Sequence, residues 1–125
     1  MNDDWKLPAK PYDLRARLFQ FACLTVRIVQ FLHTRGPVAS ALSYQILKCG
    51  TSAGANFEEA DDGSSDRDVV AKRRIALREM KETRFRLRVL RACGLLTADH
   101  DPVINESNEL VRILATLIRR SNQHR

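Results

Sequence analysis

Apolar positions recur along this chain at alternating spacings of four and three, which is the periodicity of amphipathic helices. Leu14, Leu18, Phe21, Thr25, Ile28 and Leu32 form the first line, on a helix that the pattern starts at Tyr12 and ends near Arg35 and Gly36. Gly36 suits a helix C-terminal cap and Pro37 the first turn of the next helix. The second line is Leu42, Ile46, Cys49, Ala53, Asn56 and Ala60, stopped by Asp61-Asp62-Gly63-Ser64-Ser65, where a serine can cap the next helix. The third and longest helix is predicted from about Asp66 to Cys93, with Val69, Ala76, Met80, Thr83, Leu87 and Leu90 as its seam and Gly94 at its end. Asp101 is the expected N-cap of a fourth helix and Pro102 its first-turn residue. Val103, Ser107, Leu110, Leu114 and Leu117 lie on one line of it, with Ile104, Val111 and Ile118 beside them.

No segment alternates like a strand. Four helices with short links predict an all-α, antiparallel up-down-up-down four-helix bundle. Its domain covers residues 12–122, between an extended arm at 1–11, which carries two prolines, and a tail at 123–125. Tyr44, Leu47, Phe57, Val70, Leu77 and Phe85 add apolar surface off the main lines, which argues for an oligomer. Gly50, Ala53 and Gly54 are small residues one turn apart and let another helix approach closely. Asn56 falls on the buried line and needs hydrogen-bond partners, for which Glu59 and the polar flank of the third helix are candidates.

Charge changes the picture most. The chain has 21 Lys and Arg against 15 Asp and Glu, a net +6, which favours anionic partners and nucleic acid first. The third helix alone carries ten basic and four acidic residues between Asp66 and Cys93, and so accounts for that excess. Arg67, Arg74, Lys81 and Arg88 recur every seven residues, nearly opposite Ala76, with Arg78 among them and Phe85 in their midst. An aromatic ring amid arginines can stack on a base or pack on a neighbouring subunit. Among the carboxylates, the spacing predicts ion pairs of Glu82 with Arg86 and of Glu79 with Lys72.

Other chemistry finds little support. The three histidines are His33, His100 and His124, and none follows a glutamate by three, so a di-iron centre lacks its ligands. The Gly50-Thr51-Ser52-Ala53-Gly54 segment has no Lys-Ser or Lys-Thr after its second glycine and no strand before its first, so it is not a phosphate loop. A calcium loop starting at Asp61 would place Lys72 where an acidic ligand is required. Cys23, Cys49 and Cys93 are odd in number and far apart, and are expected to be reduced core or near-core residues. The N-terminal residues lack the basic start and apolar run of a secretory signal, and no apolar stretch is long enough to span a bilayer. The expectation is a cytoplasmic, non-enzymatic protein with no metal, no cofactor and no membrane association.

Two blocks carry a resemblance. Leu42-Ser43-Tyr44-Gln45-Ile46-Leu47-Lys48 leads into Thr51-Ser52-Ala53-Gly54-Ala55-Asn56-Phe57-Glu58-Glu59-Ala60, and Lys72-Arg73-Arg74-Ile75-Ala76-Leu77-Arg78-Glu79-Met80-Lys81-Glu82-Thr83 comes after. In that order and spacing the chain, from about Tyr12 to Arg120, resembles the ribosomal-RNA intervening-sequence protein family, also called the four-helix bundle protein family. Gln45, Ser52, Asn56, Glu59, Lys72, Ala76, Glu79, Glu82 and Thr83 match positions the family usually fills this way. Cys49 stands where a serine is common, and Phe85-Arg86 where an aromatic pair is frequent. The resemblance implies an antiparallel bundle assembled as a ring-shaped homopentamer. A related protein, the accessory variability determinant of diversity-generating retroelements, has a similar basic bundle and binds nucleic acid and a reverse transcriptase. The functional expectation is therefore RNA or DNA binding by Arg67, Arg74, Arg78, Lys81, Phe85 and Arg88. The alternative is a scaffold that docks an acidic or polymerase-type protein partner without touching nucleic acid.

Overall fold

A computed structural model describes residues 5–7, 13–62 and 65–123, with the side chain of Gln123 excepted. They form four α-helices: α1 (Leu14–Leu32), α2 (Pro37–Asp61), α3 (Asp66–Ala92) and α4 (Asp101–Gln123), the last preceded by a 3-10 turn at Ala98–His100. Of the expected arm, bundle and tail, residues 1–4, 8–12, 63–64 and 124–125 lie outside the described residues.

Each helix starts and stops for a local reason. Asp13 is extended and its carboxylate accepts from the Arg15 backbone N–H at the head of α1. Gly36, at φ 105°, serves the entry to α2 rather than the exit from α1, whose cap is His33. Ser65 caps α3 by accepting from the Asp68 N–H at 3.2 Å, and Asp66 and Asp68 lie in the first turn, at the positive end of the helix dipole. Gly94 takes φ 78° after α3, and the Leu95 N–H donates back to the Leu90 carbonyl at 2.9 Å, as a left-handed C-terminal residue allows. The expected N-cap role of Asp101 is corrected: Thr97 caps the 3-10 turn, its backbone N–H donates to His100 Nδ1, and Asp101 is already helical. The Asp101 carboxylate instead accepts from Arg91 Nε at 2.9 Å and ties the start of α4 to the end of α3.

The core follows the seams, with local corrections. Leu18, Phe21, Ile28 and Leu32 of α1 meet Ala39, Ile46, Ala53 and Phe57 of α2. Ala76, Met80, Leu87 and Leu90 of α3 and Val103, Leu110 and Leu114 of α4 complete it. Leu42 is exposed while Ser43 is buried, because α2 turns its Ala39, Ser43 and Ile46 side inward. Val70 is buried and Val69 only half so. Phe57 and Val70, read as surplus surface, are core residues, whereas Tyr44 and Phe85 remain exposed. Of the three free cysteines only Cys49 is buried; Cys23 and Cys93 are exposed, which corrects their expected core placement.

α1 and α2 approach each other closely at two glycines. A Cβ added at Gly50 would lie 2.5 Å from Thr25 Cγ2 and 2.9 Å from Thr25 Cβ, so the fully buried Thr25 occupies the space a side chain would need. At Gly54 the nearest atom, the Leu18 carbonyl oxygen, is 3.4 Å away. Contacts run α1 to α2, α2 to α3 and α3 to α4, and α1 touches α4 more sparsely than these neighbours touch. One buried ion pair spans that weak seam: Arg17 Nη2 and Nε donate to both oxygens of Glu106, at 2.6 and 3.0 Å. The Glu106 side chain is 2% exposed, that of Arg17 12%, and Glu109 adds a second carboxylate at 3.5 Å.

At the other end of the bundle, Trp5 is 6% exposed and docks on α1 and the 3-10 turn. Its ring is 4.7 Å from His100 and 6.2 Å, edge-on, from Phe31, with the Arg27 guanidinium 5.0 Å above it. The sequence pattern reads this segment as an extended arm. A lone tryptophan among prolines carries no periodicity that would reveal its docking site.

Candidate nucleic-acid interface

α3 is amphipathic in an unusual sense, with an apolar seam on one side and cations on every other. At about 100° per residue, Ala76, Met80, Thr83 and Leu87 point to the core and Arg67, Arg74, Arg78, Lys81, Phe85 and Arg88 point away from it. All six of the latter are exposed, Phe85 to 62%. Three other cations of α3 face its neighbours. Lys72 Nζ meets Glu59 of α2 at 3.0 Å, Arg91 meets Asp101 of α4, and the Arg73 guanidinium lies 5.7 Å over the Phe57 ring. Arg67, Arg74, Lys81 and Arg88 have no ion pair among the described residues, and Arg78 has only Glu79 at 3.9 Å. The outward ridge is thus composed of charge that the fold does not neutralise.

Phe85 stands between two hollows. One, of about 280 Å³, is lined by Arg78, Lys81, Glu82, Phe85 and Arg86. The other, of about 100 Å³, lies on the seam between α2 and α3 and is apolar, bounded by Leu42, Ile46, Phe85, Val89 and Leu90 with Arg86. The exposed Leu42 and Val89 were not expected at this site. Val89 comes one turn after Phe85, which was the available signal; Leu42 had been placed in the core.

The nine motif positions do a different job. Ser52 Oγ donates to Glu79 Oε2 at 3.1 Å, and Thr83 Oγ1 donates to the Glu79 carbonyl at 2.8 Å. Lys72 bridges to Glu59, and Ala76 is fully buried. Ser52 with Glu79 and Glu59 with Lys72 join α2 to α3. Two expectations are corrected here: Glu79 is held by Ser52 and not Lys72, and Glu82 forms no ion pair with Arg86 among the described residues. Asn56 is half-buried and satisfies itself within its own helix, donating to the Ser52 carbonyl at 2.8 Å rather than to Glu59 or α3. Gln45 and Glu82 are exposed.

These motif residues match more than a helical pattern. The pattern that defines the 23S rRNA-intervening sequence proteins matches residues 14–116. The chain belongs to that family. A crystallised protein of unknown function from Bacteroides thetaiotaomicron, placed in the S23 ribosomal protein family, is 32% identical to this intervening-sequence protein, with a TM-score of 0.77. The match covers 85% of this chain and 98% of the other. No curated protein matches the chain. The match to the family begins at the first residue of α1 and ends within α4, so Trp5 falls outside it while its ring partners Phe31 and His100 fall inside. Among the described residues of this family member, no three His, Cys, Asp or Glu side chains are grouped to hold a metal ion. No described helix is long and apolar enough to cross a membrane.

Proposed function

We propose that this chain is a non-catalytic, cytoplasmic nucleic-acid-binding protein: an antiparallel up-down-up-down bundle, assembled as a homopentamer, that holds RNA or DNA on the outer face of α3. The observation that carries this reading is the ridge of Arg67, Arg74, Arg78, Lys81 and Arg88 around an exposed Phe85, left over after Lys72, Arg73 and Arg91 are matched to a carboxylate or a ring. Guanidinium and ammonium groups hold phosphate without reacting with it, and a projecting ring offers a stacking platform to an unpaired base. A salt titration tests the reading. With five phosphates neutralised, log K for a single-stranded oligonucleotide falls with log salt at a slope of about −3 to −4. Changing Arg74, Lys81 and Arg88 together to Ala flattens that slope by about 2. No binding of RNA or single-stranded DNA at low salt rejects it.

A second reading is favoured by the apolar hollow of Leu42, Phe85 and Val89, which suits a protein partner better than a phosphate. In it the basic face docks an acidic or polymerase-type protein, such as a reverse transcriptase, with no nucleic-acid contact. Capture of partners with and without nuclease separates the two, because only a direct protein contact survives nuclease. Sedimentation velocity tests the homopentamer.

A further inference from the structure

A cleft larger than either hollow beside Phe85 lies away from the basic ridge. It lies past the Arg17–Glu106 pair, toward the first turn of α1 and the last turns of α4, and has a volume of about 850 Å³, within the range of small-molecule sites. Its apolar lining comes from Leu14 of α1, Phe57 of α2, and Ile113 and Leu117 of α4. Its polar lining is dominated by three arginines: Arg73 of α3, and Arg112 and Arg120 of α4, eight residues apart and so about 12 Å along the helix. Among the described residues, no carboxylate lines the cleft. Arg73 lies over the Phe57 ring, and its Nε is buried with no hydrogen-bond partner in the structure. A guanidinium desolvated on one side and unmatched by an anion is a costly arrangement unless something else supplies the charge.

We propose that this cleft binds a free amphiphilic anion, an aliphatic chain ending in one carboxylate. The head sits among Arg73, Arg112 and Arg120, and the chain covers Leu14, Ile113 and Leu117. The two halves of the lining select this class together. An uncharged apolar ligand leaves the arginines unmatched, and inorganic phosphate leaves the aliphatic floor wet. A nucleic-acid strand is served worse here than on the α3 ridge, because Phe57, the one aromatic ring among the described lining residues, is buried beneath Arg73 and offers no stacking face. The site is independent of the nucleic-acid reading, since it shares no residue with the ridge.

The test is calorimetric titration of the full chain with decanoate below its micelle concentration, beside decanol, inorganic phosphate and vesicles of anionic phospholipid. Decanoate is expected to bind saturably at one site per chain, at least tenfold more tightly than decanol or phosphate. Arg112→Gln with Arg120→Gln, both exposed and safe for folding, should weaken it at least tenfold, and Ile113→Glu should abolish it with the helical circular dichroism intact. Arg74, Lys81 and Arg88 changed together to Ala should leave it unchanged while reducing oligonucleotide binding. The proposal is overturned by no saturable heat, by equal binding of decanol, or by equal loss in the ridge variant. It also falls if only vesicles bind, or if an oligonucleotide displaces decanoate competitively.

Discussion

Two glycines on one face of α2 should respond in opposite ways to the same substitution. Replacing a helical glycine by alanine contributes up to about 1 kcal/mol through backbone entropy alone. At Gly54 the new methyl meets the Leu18 carbonyl oxygen and Cβ at 3.4 to 3.5 Å, an ordinary contact, so the gain is kept. Gly54→Ala should stabilise the protein by about 0.5–1 kcal/mol. At Gly50 the methyl falls 2.5 Å from Thr25 Cγ2, and rotating that side chain does not help, because Thr25 Cβ itself is only 2.9 Å away and is fixed to the α1 backbone. α1 and α2 must therefore move apart by roughly half an ångström, in a core packed at crystalline density where overpacking costs about 1–3 kcal/mol. Gly50→Ala should thus be net destabilising, by about 1–2 kcal/mol once the propensity gain is offset. Urea unfolding followed by circular dichroism measures both. Thr25→Ala in the Gly50→Ala background removes Cγ2 and Oγ1 and should recover part of the loss relative to Thr25→Ala alone. Equal stability of the two glycine variants, or no coupling in the double variant, would refute the claim that close approach of α1 and α2 selects glycine at position 50.

Buried polar groups and thiols give three further outcomes. Glu106→Gln removes the charge that both Arg17 donors meet in a nearly dry seam while Glu109 stays at 3.5 Å, and should cost about 1.5–3 kcal/mol in urea unfolding, more than Glu58→Gln at the exposed Arg15 pair. That Arg17 is held above its ordinary range, first by the Glu106 hydrogen bond, agrees with a pair locked in its charged form. His100 is 1% exposed, and desolvation pushes its pKa below the ordinary 6.5, the Thr97 N–H donating to Nδ1 while Nε2 has no partner. The folded protein therefore binds fewer protons than the unfolded chain below about pH 6.5. Stability should be full above that pH and fall by at most about 1.4 kcal/mol per unit as pH drops through it, until the folded pKa is reached. His100→Phe should remove this component of the pH dependence, and an unchanged profile would contradict it. Among the thiols, Cys23 and Cys93 should react with a disulfide reagent in the native state, and Cys49, whose pKa is raised by burial, only after unfolding.

Four-and-three spacing needs only chain-local chemistry, and it placed all four helices, the serine start and glycine end of α3, and the outward direction of Arg67, Arg74, Lys81 and Arg88. Those features depend on the pitch of one helix, which the sequence determines by itself. Which flank of each stripe is innermost depends on the neighbour, and here tertiary structure overruled the pattern. Leu42 yields to Ser43, Val69 to Val70, and Asn56 bonds within its own helix instead of across to α3. Glu106 was legible in part, since it falls three after Val103 and four before Leu110, on the buried line. Its partner Arg17, 89 residues away, was not. Trp5 on His100 and the arginine cleft of Arg73, Arg112 and Arg120 join residues from distant segments. Periodicity reports how a helix divides oil from water, but only packing decides which charges share a space, because that depends on the relative placement of helices whose sequences do not encode one another's position locally.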